Sequence, residues 1–283
     1  MFRKFLVILI FSVLTAASYG QDQNFQFSHL NITHGLSSNQ VNCIFKDSQG
    51  FIWFGTLSGL NRYDGYNFKT FKQDDLDTNS IMDNNISRLF EGPGGQIWIR
   101  TQSDLNLYDP VTEKVNRRPD RILQGMGLPT EGLVNILRNG QVFFFVFADA
   151  GIYSYEPGRK VRHLKSSRHN DKSTNPITSA SLDSKNYIWL LRYNGIIEKL
   201  DADEDRTIVR TNVFQQQQIQ LQFGYSFYMD AQDELWLYQR NTLAGLFQYT
   251  PATNQVRHYT RENGALSLSS NAINSVSQDK AGK

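Results

Sequence analysis

The sequence has little of several features that stabilise other classes of protein or bind them to nucleic acids or membranes. Its 283 residues contain a single cysteine, Cys43, so no disulfide can form within the chain. The 29 basic residues nearly balance the 27 acidic ones, which argues against a nucleic-acid groove or a polybasic membrane face. Beyond the extreme N-terminus, no stretch keeps a 3.6-residue apolar period or is long enough for a membrane helix. The composition therefore favours β-structure that is held together by packing.

The apolar N-terminal segment has the features of an export signal. Arg3 and Lys4 form a positive start, residues 5–14 are apolar, and small residues precede Gln21. We therefore predict a signal peptide at residues 1–20 and a periplasmic location for the mature chain, with a retained membrane anchor as the alternative. Removal of this segment takes away two basic residues and leaves no formal net charge.

A phrase that ends in tryptophan recurs along the chain. The first copy runs from Asp47 through Gly50 to Trp53, and related copies end at Trp98, Trp189 and Trp236. A degenerate copy lies between the second and third, with Phe143 in the place of tryptophan. The aromatic residues are 45 to 47 residues apart, a period that indicates one supersecondary unit copied along the chain.

Each repeat also contains a second strand pattern after the tryptophan strand. In the first repeat it begins at Gly59 and reaches Tyr63, and Tyr108 is the equivalent tyrosine of the second repeat. With an inner and an outer strand, each repeat has four short strands, which predicts an all-β fold, a β-propeller of four-stranded blades. The recurring residues are expected to be structural, since a blade needs large side chains between itself and the next blade. Another all-β repeat or a sandwich is the alternative.

The repeat cores are predicted near residues 41–84, 86–130, 133–176, 177–222 and 224–270, within a propeller region of residues 21–283. A sixth copy begins at Asn271, which corresponds to Asn39 of the first. We therefore expect a fragment of a longer protein with an incomplete ring, in which residues 25–30 form an orphan outer strand. The alternative is a five-bladed ring closed by the terminal strands.

The first repeat resembles a known family. Gly35-Leu36-Ser37-Ser38-Asn39-Gln40-Val41, the Asp47–Thr56 segment and Gly59-Leu60-Asn61-Arg62-Tyr63-Asp64-Gly65 are similar to the two-component regulator propeller repeat. The resemblance implies the N-terminal periplasmic sensor of a hybrid two-component system, which senses a glycan-derived ligand and acts as a homodimer. It also implies an inner-membrane histidine kinase as the full-length protein, with its membrane helix and catalytic domains beyond residue 283.

The chain itself is therefore expected to be non-catalytic and to need no cofactor or metal. The alternatives are a stand-alone periplasmic propeller for binding or assembly, and a propeller glycosidase or lyase. Asp201–Asp205 has the alternate acids of a calcium loop but lacks its glycine and closing glutamate, so a solvated turn is favoured. The histidines (His29, His34, His163, His169 and His258) have no zinc-like spacing.

Aromatic residues that do not recur are the remaining candidates for ligand contacts. They are Tyr187, Tyr193, Tyr225, Phe227 and Tyr228.

Overall fold

The structure, a computed structural model, describes residues 29–102, 104–165, 175–217, 219, 224–240, 242–262 and 267–279. The predicted signal peptide, most of the predicted strand at residues 25–30 and His169 lie outside these residues.

The described chain forms five four-stranded antiparallel sheets, each built from strands that follow one another in sequence. Blade 1 contains β1 (Val41–Lys46), β2 (Ile52–Thr56), β3 (Gly59–Tyr63) and β4 (Phe68–Phe71). Blade 2 contains β5 (Ile86–Glu91), β6 (Ile97–Thr101), β7 (Leu105–Asp109) and β8 (Lys114–Asn116). Blade 3 contains β9 (Leu133–Asn139), β10 (Val142–Phe147), β11 (Gly151–Tyr155) and β12 (Arg162–Leu164). Blade 4 contains β13 (Ile177–Leu182), β14 (Ile188–Arg192), β15 (Ile197–Asp201) and β16 (Arg206–Thr211). Blade 5 contains β17 (Ser226–Met229), β18 (Leu235–Tyr238), β19 (Leu246–Thr250) and β20 (Gln255–Tyr259).

The blades are arranged as a β-propeller, as the repeat predicts. The first strands of successive blades contact one another (β1 with β5, β5 with β9, β9 with β13, and β13 with β17), so they are the innermost strands. Short helices lie in two of the connections, α1 (Asp120–Met126) and α2 (Val213–Gln216).

None of the helices in the described ranges has the length and apolar character that a membrane crossing requires.

The hydrophobic cores lie between neighbouring blades. The core between blades 1 and 2 joins Trp53 and Leu60 to Ile97, Ile99 and Tyr108. Equivalent cores lie between blades 2 and 3, 3 and 4, and 4 and 5. Because each core draws on two sheets, a blade is stabilised by its neighbours, as expected for a repeat architecture.

In blade 3 the structure differs from the predicted repeat in one detail. Phe144 pairs with Ser154 in the position where Trp53 pairs with Arg62 in blade 1. Phe144 also belongs to the core shared with blade 4, whereas Phe143 belongs to the core shared with blade 2, which contains Trp98. Phe144, not Phe143, therefore occupies the tryptophan position. The sequence could not distinguish them because both lie in an unbroken apolar run.

Polar contacts also join neighbouring blades. In blade 1 the turn residue Ser48 donates from its backbone N–H to Glu91 Oε2 of blade 2 (3.0 Å). In blade 4 the equivalent N–H, that of Ser184, donates to Asp233 Oδ1 of blade 5 (2.7 Å). The third instance joins blade 5 to the segment that follows it, because the N–H of Ala231 donates to Gln278 Oε1 (2.8 Å).

The segment that follows blade 5 begins like the inner strand of another blade. Asn84, just before β5, accepts from the N–H of Gly59 through its carbonyl (2.8 Å) and from that of Gln73 through its side chain (2.9 Å). Asn271 accepts in the same two ways from Gly245 (3.0 Å) and Arg261 (2.6 Å).

Candidate functional site

The recurring Asp–Trp turn has one geometry in blades 1, 4 and 5. In blade 1, Asp47 Oδ1 accepts from the N–H groups of Gln49 (3.0 Å) and Phe51 (2.9 Å). Its Oδ2 accepts from the indole Nε1 of Trp53 (2.7 Å). Asp183 with Trp189, and Asp230 with Trp236, repeat all three bonds. The turn therefore fixes its own backbone and satisfies a buried indole with a single carboxylate.

The fourth position of this turn needs a positive φ. Gly50 supplies it in blade 1 (φ 96°), and Asn186 (φ 65°) and Asp233 (φ 61°) supply it in blades 4 and 5. Glycine, Asn and Asp adopt this conformation at low cost. Glycine is also required at position 59, at the start of β3 and outside this turn, because a Cβ there would lie 2.7 Å from the carbonyl oxygen of Phe71.

Blade 2 lacks the aspartate of this turn. Gly92 stands in its place, and a Cβ there would lie 2.4 Å from Trp98 Nε1. The indole nitrogen of Trp98 is buried and has no hydrogen-bond partner among the described residues. A buried donor without a partner costs free energy, so blade 2 is the less satisfied copy of the turn.

The recurring tyrosines pack between strands and blades. Tyr108 is fully buried against the edge of Trp53, with ring centroids 5.1 Å apart, and its hydroxyl accepts from Arg62 Nη1 (2.9 Å). Tyr63 is half-buried, contacts Phe68 (4.6 Å between centroids) and donates its hydroxyl proton to the Gly65 carbonyl (2.6 Å).

Blade 4 replaces a neutral polar pair with an ion pair. Arg192 and Glu198 take the register positions that Thr56 and Asn61 hold in blade 1. Arg192 Nε lies 2.7 Å from Glu198 Oε2, and both side chains are buried, at 4% and 2% exposed. Arg210 Nη1 contacts the other carboxylate oxygen at 2.6 Å. The buried charge of Arg192 is thus matched by a carboxylate with two partners.

The structure does not bring the non-recurring aromatic residues together at one surface. Tyr225 and Phe227 are buried in the core between blades 4 and 5, at 4% and 7% exposed. Tyr187 is half-buried beneath the ammonium of Lys199, which lies 4.4 Å from the ring centroid. Tyr193 is exposed at a turn, and Tyr228 is half-buried on β17 opposite Trp236. Their arrangement argues against a shared aromatic platform, and a ligand role for any of them stays a prediction.

The acidic candidate segment forms a turn between β15 and β16. Asp201 Oδ1 accepts from the N–H groups of Asp203 (3.0 Å) and Glu204 (3.1 Å), and Glu204 pairs with Arg206. In the described ranges, no group of three or more His, Cys, Asp or Glu side chains could hold a metal ion.

A central cavity of about 520 Å³ lies where the innermost strands meet. Each blade contributes one side chain to its lining from the same position of the innermost strand. In every blade this residue pairs across the sheet with the second residue after the tryptophan or its equivalent. We refer to these five residues as the channel ring: Cys43, Arg88, Asn135, Ser179 and Ser226.

A β-bulge precedes the channel ring in blades 1 to 4. In blades 1 and 4 the register shifts between Val41 and Cys43 and between Ile177 and Ser179. The extra residue reaches the next blade: Asn42 Nδ2 donates to the Ile86 carbonyl (2.9 Å), and Thr178 Oγ1 donates to that of Tyr225 (2.9 Å). In blades 1 and 4 the bulge thus aims one side chain at the neighbouring blade and places the following side chain in the cavity lining.

The cavity lining carries more positive than negative charge. Lys46, Arg88, Arg138 and Arg240 line it, and Glu91 is the one carboxylate in the lining. Both oxygens of Glu91 already accept hydrogen bonds from Ser48. The lining is therefore cationic and polar.

Two arginines and a thiol are close neighbours in this cavity. Partial burial and the charge of Arg240 lower the pKa of Arg88, which nevertheless stays protonated at neutral pH. Burial raises the pKa of the Cys43 thiol to about 11, although Arg240 and Arg88 act in the opposite direction. Arg88 Nη2 also reaches Ser226 Oγ of blade 5 (3.4 Å) across the cavity.

A second cavity of about 780 Å³ continues from the first. Cys43, Ile44, Tyr238 and Arg240 line both cavities, and residues 274–277 line the second. Arg240 Nε donates to the Asn274 carbonyl there (3.0 Å).

Sequence reasoning missed the channel ring. Four residue types occupy its five positions, so they form no repeated motif. The signal that could have located four of them is a distance of ten residues before the tryptophan, as from Cys43 to Trp53 and from Arg88 to Trp98, and in blade 3 the distance from Asn135 to Phe144 is nine.

A family model described as "Two component regulator propeller" matches residues 35–58. The chain is also 36% identical over 74 residues to Histidine kinase P4 of Formosa agariphila, a match that covers 26% of this chain and 5% of that protein.

Solved structures share the fold. The extracellular domain of a putative hybrid two component system from B. thetaiotaomicron matches 90% of this chain and 39% of its own, with a TM-score of 0.53 and 21% identity. The extracellular domain of a putative one component system from the same organism matches 91% of this chain and 38% of its own, with a TM-score of 0.54 and 17% identity. The chain thus spans well under half of these relatives. The family match confirms the predicted resemblance: residues 35–58 are a two-component regulator propeller repeat, and the chain is a β-propeller that carries it.

Proposed function

We propose that the chain is the N-terminal part of an exported, non-catalytic sensor that binds a glycan-derived ligand. The sensor signals to a histidine kinase domain that lies further along the same polypeptide. The observation that carries this proposal is the two-component regulator propeller repeat at residues 35–58. The local likeness to a histidine kinase supports it.

The geometry is compatible with binding. The central cavity of about 520 Å³ falls in the range of small-molecule sites, roughly 300–1,000 Å³. Signalling by such a scaffold requires a change in the arrangement of domains or of two protomers, because closely packed blade interfaces deform little within themselves. We therefore propose a homodimer of the full-length sensor, with the membrane reached only through a helix beyond residue 283.

The reading frame beyond codon 283 tests the signalling part of the proposal. We expect further propeller repeats, a membrane helix and a kinase. A stop codon at this point would remove the kinase and leave the second candidate, a stand-alone periplasmic propeller for binding or assembly.

Ligand binding is tested by titrating the purified protein with a panel of oligosaccharides. Saturable binding without cleavage is the expected result. Turnover of an oligosaccharide would instead identify a propeller glycosidase or lyase, and the absence of binding by any member would contradict glycan sensing.

A further inference from the structure

We propose that the central cavity is a binding site for an anionic group, a carboxylate or a sulfate, held by Arg88 and Arg240. Applied to a glycan ligand, this inference rests on the proposed function and makes that ligand an acidic oligosaccharide. As an anion site it stands on the cavity alone.

The first argument is the uncompensated charge. Within the described part of the chain, none of Lys46, Arg88, Arg138 and Arg240 forms an ion pair. Elsewhere the same fold matches its charges: the buried Arg192 has Glu198 at 2.7 Å, and Lys199 has Asp183 at 2.8 Å. In the cavity four cations converge with a single carboxylate, Glu91, whose two oxygens already accept hydrogen bonds from Ser48.

The second argument is that the two arginines come from different blades and lie near one another. Arg88 belongs to the channel ring of blade 2, and Arg240 follows β18 of blade 5. Both act electrostatically on Cys43 of blade 1. Like charges held near one another repel, and the repulsion is strongest where water is partly excluded. An anion between them removes this cost, and a guanidinium can hold a carboxylate or a sulfate through paired hydrogen bonds.

The third argument is the set of neutral polar groups around the arginines. Asn135, Ser179 and Ser226 complete the channel ring, and Tyr238 lines the same cavity. Ser179 Oγ and Ser226 Oγ each accept one hydrogen bond, from the N–H of Phe227 (3.3 Å) and from Arg88 Nη2 (3.4 Å), and each keeps its hydroxyl proton to donate to a sugar. Asn135 Nδ2 donates to the Ala180 carbonyl (2.9 Å) and has a second N–H to donate, and a tyrosine ring can pack against the apolar face of a sugar. The lining therefore combines two charged anchors with groups suited to a polar ligand body.

The test measures binding by calorimetry at low ionic strength with three probes. They are tetragalacturonate, a neutral tetrasaccharide of glucose and inorganic sulfate. We expect saturable binding of tetragalacturonate, at least tenfold weaker binding in Arg88→Gln and in Arg240→Gln, and a smaller loss in Arg88→Lys, which keeps the charge but not the paired hydrogen bonds. Arg257→Gln, on the outer strand of blade 5, is the matched control and should bind like the unaltered protein. A melting temperature close to that of the unaltered protein establishes that each variant is folded.

Cys43 provides an independent readout, because it is the single cysteine of the chain. Its alkylation rate, followed by mass spectrometry, should fall when tetragalacturonate is bound. An unchanged rate at saturation would place the ligand elsewhere and overturn the proposal.

The outcomes separate this inference from the proposed function. Equal binding of the neutral tetrasaccharide, unaffected by Arg88→Gln, would overturn the anion site and leave glycan sensing intact. Binding of sulfate alone, lost in Arg88→Gln, would support the anion site and contradict glycan sensing. Failure of tetragalacturonate and sulfate to bind would overturn the anion site.

Discussion

Trp53 and Asp47 are joined by a hydrogen bond of 2.7 Å from the indole nitrogen to Oδ2, six residues apart in sequence. The same bond joins Trp189 to Asp183 (3.0 Å) and Trp236 to Asp230 (2.7 Å). The conserved geometry of this pair within one chain explains why the motif is visible in sequence. The aspartate orders the turn, and the tryptophan packs on the next blade, so one spacing serves both the strand connection and the blade interface.

Asp47→Asn should lower the free energy of unfolding by about 1–3 kcal/mol. An amide keeps one oxygen for the turn, but its NH₂ group must face a donor, either the Trp53 indole or a backbone N–H. Denaturant unfolding measures the change. Asp64→Asn is the control, since Asp64 accepts only exposed backbone bonds, from Tyr66 and Asn67 (2.7 Å each). Equal losses in the two variants would show that the buried indole bond contributes nothing.

Trp53→Phe should destabilise the protein more than Trp98→Phe, by about 1 kcal/mol. The first change removes a donor that Asp47 uses, whereas the second removes a buried N–H that has no partner among the described residues. Both changes remove a similar volume from a core between blades. Comparison of the two unfolding midpoints checks the expectation, and a larger effect of Trp98→Phe contradicts it.

Gly55→Ala should cost about 1–3 kcal/mol, the usual penalty for overpacking a core. A Cβ at Gly55 would lie 2.5 Å from Cys43 Sγ and 2.7 Å from Ile86 Cγ2, which belongs to the next blade. Gly125→Ala, within α1 and with nothing within 4 Å of the new Cβ, is the control and should stabilise by up to about 1 kcal/mol. Thermal unfolding distinguishes them. A neutral Gly55→Ala would mean that the first two blades can separate slightly without loss.

Glu198→Ala should cost about 3–5 kcal/mol, because it leaves the buried guanidinium of Arg192 without its carboxylate. The double variant Arg192→Met, Glu198→Leu should recover most of this loss, since two apolar side chains of similar volume need no charge partner. Glu204→Ala, which breaks an exposed pair with Arg206, should have little effect. If the double variant is as unstable as Glu198→Ala, the loss comes from packing and not from the unpaired charge.

The protein should lose stability as the pH falls below about 4, and Asp183 should contribute to the loss. Burial raises the pKa of Asp183, but hydrogen bonds from Lys199, Trp189 and the turn backbone together lower it by more than burial raises it. The pKa of Asp183 therefore lies below the usual value. A depressed folded-state pKa stabilises the protein above the unfolded-state value, and this contribution disappears as the pH falls through the folded-state pKa. Asp183→Asn should be less stable at neutral pH and show a flatter decline between pH 5 and pH 2. An unchanged pH profile would remove Asp183 from the acid response.

The sequence predicted the parts of the fold that repeat. Trp53, Trp98, Trp189 and Trp236 marked four of the five blades, and the turn residues before each tryptophan located the strand connections. In blade 3 the sequence placed the aromatic residue at Phe143 instead of Phe144. Val142–Phe147 is apolar throughout, and an alternating pattern is what fixes register.

The candidate site was harder to predict because it depends on residues that do not repeat. Tyr225 has the composition of a ligand contact, yet its side chain lies in a core between blades. Arg88 and Arg240 are 152 positions apart in sequence, and only the curvature of the ring brings them to one cavity. No local propensity or periodicity contains that information.

The bulge before the channel ring places two consecutive side chains on different surfaces. Asn42 and Thr178 bond to the neighbouring blade, while the next residue in each strand, Cys43 or Ser179, lines the cavity. Ring residues also take part in blade contacts, since Ser179 Oγ accepts from the N–H of Phe227 in blade 5 (3.3 Å) and Asn135 Nδ2 donates to the Ala180 carbonyl of blade 4 (2.9 Å). A substitution at Ser179 or Asn135 therefore changes the cavity lining and a blade interface together, so a change in recognition there also carries a cost in stability.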